Sequence, residues 1–263
     1  MMKINKKKIR VHSLTGRITD EIMLKAFKSV KKNRGAAGID KQSIQMYEGN
    51  LSQNLAALMK EIKTGSYQPI PLRRKYIPKG SGKFRPLGIP TVRCRIAQEV
   101  IRMIINPIFE RNFHNSSHGF RRHRSCHTAI KELLQYHKEG YKVVVDADIK
   151  GFFDNIPHKL IMAMVEREIS DGNILNTVKK FLRSRVMEEG QIKLTRKGTP
   201  QGGLCKALHK PPYAKKNIMQ SNRKMPYIYS LLFNLLCIIS NATSILKARK
   251  ANLYLCSNQV FHY

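Results

Sequence analysis

Acidic side chains are scarce in this 263-residue chain: 17 Asp and Glu stand against 49 Lys and Arg, a formal net charge of +32. So large an excess repels itself in a compact fold unless a polyanion neutralises it, and a phosphate backbone does this while releasing its counterions. The balance points to nucleic acid as partner, with a generic basic protein of ribosomal or membrane-surface type as the blander alternative. Charge alone does not separate an enzyme from a passive binder. CxxC pairs are missing too. The five cysteines, Cys94, Cys126, Cys205, Cys237 and Cys256, are scattered, which indicates neither a zinc ribbon nor a secreted disulfide framework and suits a reducing compartment. The opening MMKINKKKIRVHSLTGR has no apolar core behind its charges, so it is not a secretory signal and reads as a basic RNA-binding arm over 1–18. No internal repeat is present.

The last 60 residues lack still more. Every acid lies at or before Glu189 and every glycine at or before Gly203, so 204–263 holds no Asp, Glu or Gly. This break reads as translation out of the original frame, or as an unrelated tail, basic and apolar and poorly packed. Within it, 227–246 carries no charge over about the length of a membrane span. Asn234, Ser240, Asn241, Thr243 and Ser244 interrupt that run, which makes an adventitious apolar helix the better reading and a membrane anchor the weaker one.

Hydrophobic residues are 42% of the chain, enough for a core. The spacing predicts a helix over 19–33, capped by Thr19, with Asp20 and Glu21 in its first turn and Ile22, Met23, Ala26, Phe27 and Val30 on one face. A small-residue loop follows at 33–39. A second helix over 51–63 places Leu51, Leu55, Leu58, Met59 and Ile62 at helical spacing. In 67–91, rich in Pro, Gly and basic residues, the extended runs 72–77 and 84–89 flank GSG and read as a hairpin. A long helix over 93–109 carries Ile96, Val100, Met103, Ile104 and Ile108 inward, and another covers 126–139. The β-branched run 141–149 reads as a buried strand, 157–185 as helical, and 191–196 as a basic strand leading into GTPQGG. Helices and strands mixed without a βαβ rhythm give an α+β fold.

Four segments can carry chemistry. In VVVDADIKGFFDNI, 143–156, Asp146 and Asp148 stand two apart on a strand and share a face. A buried carboxylate needs a metal or a basic partner, and phosphoryl transfer by two Mg²⁺ ions uses carboxylates delivered in this way. Asp154 reads better as a turn cap. In IPKGSGKFRPLGIP, Lys79, Lys83 and Arg85 crowd a hairpin that can cradle a triphosphate or template phosphates, although a solvated basic turn has the same composition. GTPQGG offers glycines that admit a ligand to the backbone, and the Gln201 amide. In SSHGFRRHRSCHTAI, Arg121, Arg122 and Arg124 beside Phe120 suit a nucleic-acid strand, as a helix-entry loop also would.

In this order and spacing, IPKGSGKFRPLGIPT (77–91), HGFRRHRSCHTAI (118–130), DADIKGFFDNI (146–156) and GTPQGG (198–203), with GAAGID (35–40) upstream, resemble the reverse transcriptase/maturase proteins encoded within group II introns. The resemblance covers about 20–203. It implies right-hand polymerase fingers and a partial palm over 19–203. Asp148 would be the catalytic acid and first Mg²⁺ ligand, with the Ile149 carbonyl beside it and Asp146 in support. Phe153 would stack under the incoming sugar, Lys79 and Arg85 would hold the triphosphate, and Gln201 would touch the nucleotide. Lys83, Arg121, Arg122 and Arg124 would meet nucleic acid. The implied partners are an intron RNA template, a DNA primer as a second candidate, and a nucleoside triphosphate weakly if at all. The implied place is a bacterial cytoplasm or an organelle.

Two departures stand out. Cys94 occupies a position where the family commonly has an acid, which removes an ion-pair or helix-cap role. LCKALHKPPYAKK follows GTPQGG where a SPLLANI-like helix and then YADD are expected, and no acid downstream replaces the YADD carboxylates. The expectation is an RNA-binding chain of polymerase ancestry whose Mg²⁺ site is incomplete and which does not polymerise DNA alone. The competing readings are a non-catalytic RNA-binding or splicing-assisting protein, and a membrane-tethered basic protein.

Overall fold

A computed structural model describes residues 10–78, 82–119, 121–141 and 155–199. Several expectations lie outside the described residues: the first nine positions of the arm, the strand over 141–149 beyond Tyr141, and the tail 204–263 with its uncharged run. The chain divides into two compact units, Met1–His114 with Ile149–Gln220, and Asn115–Asp148 with Ser221–Tyr263.

In the first unit, three helices precede the hairpin. Helix α1 (Asp20–Lys32) starts where the Thr19 side chain accepts from the Ile22 N–H, and it buries Met23, Ala26, Phe27 and Val30 along one stripe. The short α2 (Ile44–Gly49), which the apolar pattern did not announce, is capped by Ser43 and buries Tyr47 against Phe27, the rings stacked at 6.2 Å. Helix α3 (Leu51–Thr64) buries Leu55, Leu58 and Ile62 and ends at Gly65, whose φ of 75° is the left-handed conformation that closes a helix at low cost. Lys180 Nζ donates to the carbonyls of Gly65 and Tyr67, both at 2.8 Å, placing a cation at the negative end of α3.

Helix α4 (Val92–Glu110) is the centre of this unit. The expected face is buried at Ile96, Val100, Ile104 and Ile108, but so are Ala97, Ile101 and Ile105, because α4 packs against α1, α2, α3 and a later helix. Each fully buried aliphatic side chain stabilises by roughly 1.5–3 kcal/mol. Thr91 caps the helix by accepting from the Cys94 N–H at 3.2 Å, which places Cys94 at the position from which an acid would return a bond to the Thr91 N–H, in line with the expected loss of a cap role. The buried Cys94 Sγ instead takes the Ile70 N–H at 3.3 Å.

The span 157–185 is not one helical stretch. It forms α6 (His158–Glu166) and α7 (Gly172–Leu182), interrupted at Ser170-Asp171-Gly172, a run of cap and turn residues. Asp171 caps α7 by accepting from the Ile174 N–H at 3.1 Å. The same carboxylate accepts from the N–H and hydroxyl of Thr15, each at 2.7 Å. Partial burial works against its ionised form, but these bonds outweigh it and hold the carboxyl below the ordinary aspartate range. Val11 joins the same break, donating to the Glu168 carbonyl and accepting from the Ser170 N–H. Leu14 and Ile18 are fully buried. Residues 11–18, expected as the end of a basic arm, are thus stitched into the core.

The sheet runs in the order β2-β1-β3-β4. Strands β1 (Leu72–Pro78) and β2 (Phe84–Ile89) form the expected antiparallel hairpin. Strand β3 (Val186–Glu188), not foreseen, pairs parallel with β1 and antiparallel with β4 (Gln191–Lys193). Glu189 and Gly190, both at positive φ, make the two-residue turn between them. The basic strand expected over 191–196 therefore stops at Lys193.

In the second unit, α5 (Cys126–Lys138) begins with a reciprocal cap between Ser125 and Thr128 and buries Ala129.

Candidate nucleic-acid interface

Residues opposite one another in a β-ladder share a face, so the register sorts the hairpin's side chains. Arg73, Lys75 and Ile77 of β1 stand with Ile89, Leu87 and Arg85 of β2 on one face; Met187 aligns with Arg73, and Ile192 with Met187. Arg73 and Lys75 are exposed and Arg85 is half-buried. None of these described strand residues is acidic, so the face presents three cations on a partly apolar floor.

The other face holds Arg74, Tyr76 and Pro78 of β1, Phe84 and Pro86 of β2, Glu188 of β3 and Lys193 of β4. Glu188 is its only acid among the described strand residues. Lys193 Nζ donates to it at 2.6 Å, Arg74 stands 3.7 Å away, and the Tyr76 hydroxyl donates to its other oxygen. The bond from Lys193 and then that from Tyr76 hold the Glu188 carboxyl below its usual range, and the Tyr76 phenol is held above its own. The sheet's one carboxylate is thus neutralised on this side and adds no negative field to the cationic face.

In the second unit, a turn precedes α5. His118, 1% exposed, sets Nδ1 2.8 Å from Thr128 Oγ1 and Nε2 2.6 Å from Glu132 Oε2, which fastens the turn to the helix. Partial burial opposes ionisation of Glu132, but bonds from Ser116 and His118 outweigh it and hold the carboxyl low. Arg121 Nη1 donates to the Ser117 carbonyl at 2.9 Å, so part of that guanidinium braces its own loop. Arg122 and His123 are exposed at the tip, His123 at a φ of 59°.

The expected site residues are thus distributed unevenly. Lys83 and Arg85 come together at the start of β2, and Arg121, Arg122 and Arg124 in the turn before α5. Lys79, Asp146, Asp148, Ile149, Phe153 and Gln201 lie outside the described residues. Among the described residues, no group of three or more His, Cys, Asp or Glu is placed to hold a metal ion. The sequence reading passed over Arg73, Lys75, Tyr76, Phe84 and Glu188. The alternation in LRRKYIP was the available signal, but the faces become readable only with the register.

Residues 77–206 match the family model described as reverse transcriptase (RNA-dependent DNA polymerase). The Group II intron-encoded protein LtrA of Lactococcus lactis subsp. cremoris is 38% identical over 191 residues, 72% of this chain and 31% of that protein. The chain belongs to the group II intron reverse transcriptase family. Protein YkfC of Escherichia coli K12 is 36% identical over 207 residues, 76% of this chain and 54% of its own. The Putative COX1/OXI3 intron 1 protein of Saccharomyces cerevisiae is 37% identical over 163 residues, 62% of this chain and 19% of that one. This group II intron-type chain therefore spans about half the length of YkfC and under a third of LtrA. Its mixed helix-and-sheet architecture is that of polymerase fingers with part of a palm. No helix among the described residues is long and apolar enough to cross a membrane.

Proposed function

We propose that this chain is an RNA-binding member of the group II intron reverse transcriptase/maturase family that does not polymerise DNA on its own. The observation that carries the binding half is the hairpin face with exposed Arg73 and Lys75, beside Arg85, where none of the described strand residues is acidic and the neighbouring Glu188 is neutralised from the other side. Cations spaced along a strand meet successive phosphates of a single-stranded template. Arg122 and Arg124 of the second unit add a further basic surface. Intron RNA is the proposed template, a DNA primer its second partner, and a nucleoside triphosphate a weak ligand of Lys79, Arg85 and Gln201.

The other half rests on the donor set. When bound, divalent metal supplies charge neutralisation at the triphosphate and an activated attacking oxygen. Asp148 with the Ile149 carbonyl, and Asp146 in support, are the oxygen donors that the family resemblance assigns to the metal ions. The sequence has no acid beyond Glu189 and no YADD. Two dications about 3.5–4 Å apart share several carboxylates, and this set falls short of that requirement. The residues present do not fit a complete two-metal centre, and no chemical step is assigned to one.

Two measurements test the reading. With poly(rA) template, oligo(dT) primer and Mg²⁺, the expected incorporation is background; robust synthesis would overturn the inactive half. Binding of single-stranded RNA should weaken roughly 20-fold between 50 and 200 mM salt if three phosphates are neutralised. A salt-independent affinity, or none, would overturn the other.

A further inference from the structure

Tyr76 and Phe84 stand on the hairpin face away from Arg73, Lys75 and Arg85, and they are 49% and 63% exposed. The rings in the core of the first unit are covered: Tyr47 and Tyr67 are 2% and 1% exposed. The register sets Tyr76 opposite Pro86 and Phe84 opposite Pro78, so the two residues are diagonal neighbours on one face. Each faces a proline whose fixed φ stiffens the strand beneath, which leaves little order to be gained on binding. The Tyr76 hydroxyl is tied to Glu188 at one rim, and Arg74 and Lys193 close on the same carboxylate. Two exposed rings with Arg74 and Lys193 at their margin form a stacking platform.

We propose that Tyr76 and Phe84 stack two unpaired bases of a single-stranded RNA on the face of the hairpin opposite its phosphate-binding side, with Arg74 and Lys193 at the rim. Exposed rings stack unpaired bases, whose faces are free, and not the already stacked bases of a duplex. The proposal rests on the reading of the chain as RNA-binding and adds a second face with a different chemistry: stacking, which salt hardly weakens, where the first is ionic.

The test measures binding of the full 263-residue chain to a short labelled single-stranded RNA and to an RNA duplex by fluorescence anisotropy. Tyr76→Ala and Phe84→Ala should each weaken single-strand binding about 5-fold or more, with the slope against salt and the duplex affinity unchanged. Tyr76→Phe keeps the ring and should keep the affinity. Tyr76→Leu and Phe84→Leu keep apolar bulk without a π-face and should lose affinity as the alanines do, with unchanged thermal melting. Equal losses on both RNAs, or no loss, would overturn the proposal. So would a doubly substituted chain that binds RNA normally but changes its mass in solution, because the rings would then be a protein interface. Absence of RNA binding in the unmodified chain would remove the RNA-binding reading itself, a distinct outcome from loss of the ring effect alone.

Discussion

Ile101 in α4 and Ile192 in β4 are the same residue type in opposite settings, 0% and 51% exposed. Around Ile101 the first unit is held by apolar burial along most of α4, leaving a half-exposed stripe of Arg95, Glu99, Arg102 and Asn106. Around Ile192 a four-stranded sheet shows water its isoleucines, rings and cations, and its prominent side-chain ties converge on one carboxylate, Glu188. A region that leaves apolar and cationic groups uncovered gains little stability from them, and such patches mark contact surfaces. The helical layer supports the fold, and the sheet is the surface proposed to meet RNA.

Substitutions in the two regions should therefore separate into those that move stability and those that move affinity. The largest effect is expected at Ile101→Ala, a loss of about 2–5 kcal/mol by urea unfolding, with unchanged RNA affinity for the fraction that remains folded. Asp171→Ala removes the cap of α7 and the two ties to Thr15, and should lower stability by about 1–2 kcal/mol. The pH dependence has a definite sign. The folded Asp171 carboxyl ionises below the unfolded value of about 3.9, so its contribution is complete above that pH and is lost as pH falls through the folded value. Melting curves of the original chain and of Asp171→Asn should be separated at neutral pH and converge in acid. A gap that widens in acid would contradict this assignment.

Smaller effects should come from the sheet and appear in binding. Lys75→Ala and Arg73→Ala should each reduce the slope of log affinity against log salt by about 0.7, with stability changed by less than about 0.5 kcal/mol. Smallest of all, Glu188→Gln should tighten RNA binding a few-fold by releasing Lys193 and Arg74 from its carboxylate. If Lys75→Ala melts the chain, or Ile101→Ala alters affinity without altering stability, the division between the two regions fails.

Much of the helical layer could be read from spacing. Thr19 followed by two acids and a 3.6-period stripe defines α1, and the same period defines α3. For α4 the reading found one buried face and missed Ile101 and Ile105, because a helix packed on several sides shows no single stripe. The break between α6 and α7 was written in Ser170-Asp171-Gly172, but the apolar residues on either side continue in helical register and masked it. Strand β3 has three residues, too few for a period, and exists because β1 supplies a ladder for it. The cations of the hairpin were legible as composition, while their division between two faces needed pairing partners distant in sequence. The carboxylate pair of 146 and 148 was argued from alternation alone and lies outside the described residues.

The bond between Thr15 and Asp171 spans 156 residues of sequence. A ribosome adding about 5–20 residues per second needs on the order of 8–30 s to travel that far. Through that interval the opening segment, with Leu14 and Ile18, has been made but lacks the partner that anchors it. The nascent polypeptide can thus pack its opening segment against α3 early but gains the bonds to Asp171 only once α7 emerges, so this part of its folding is timed by translation as much as by sequence.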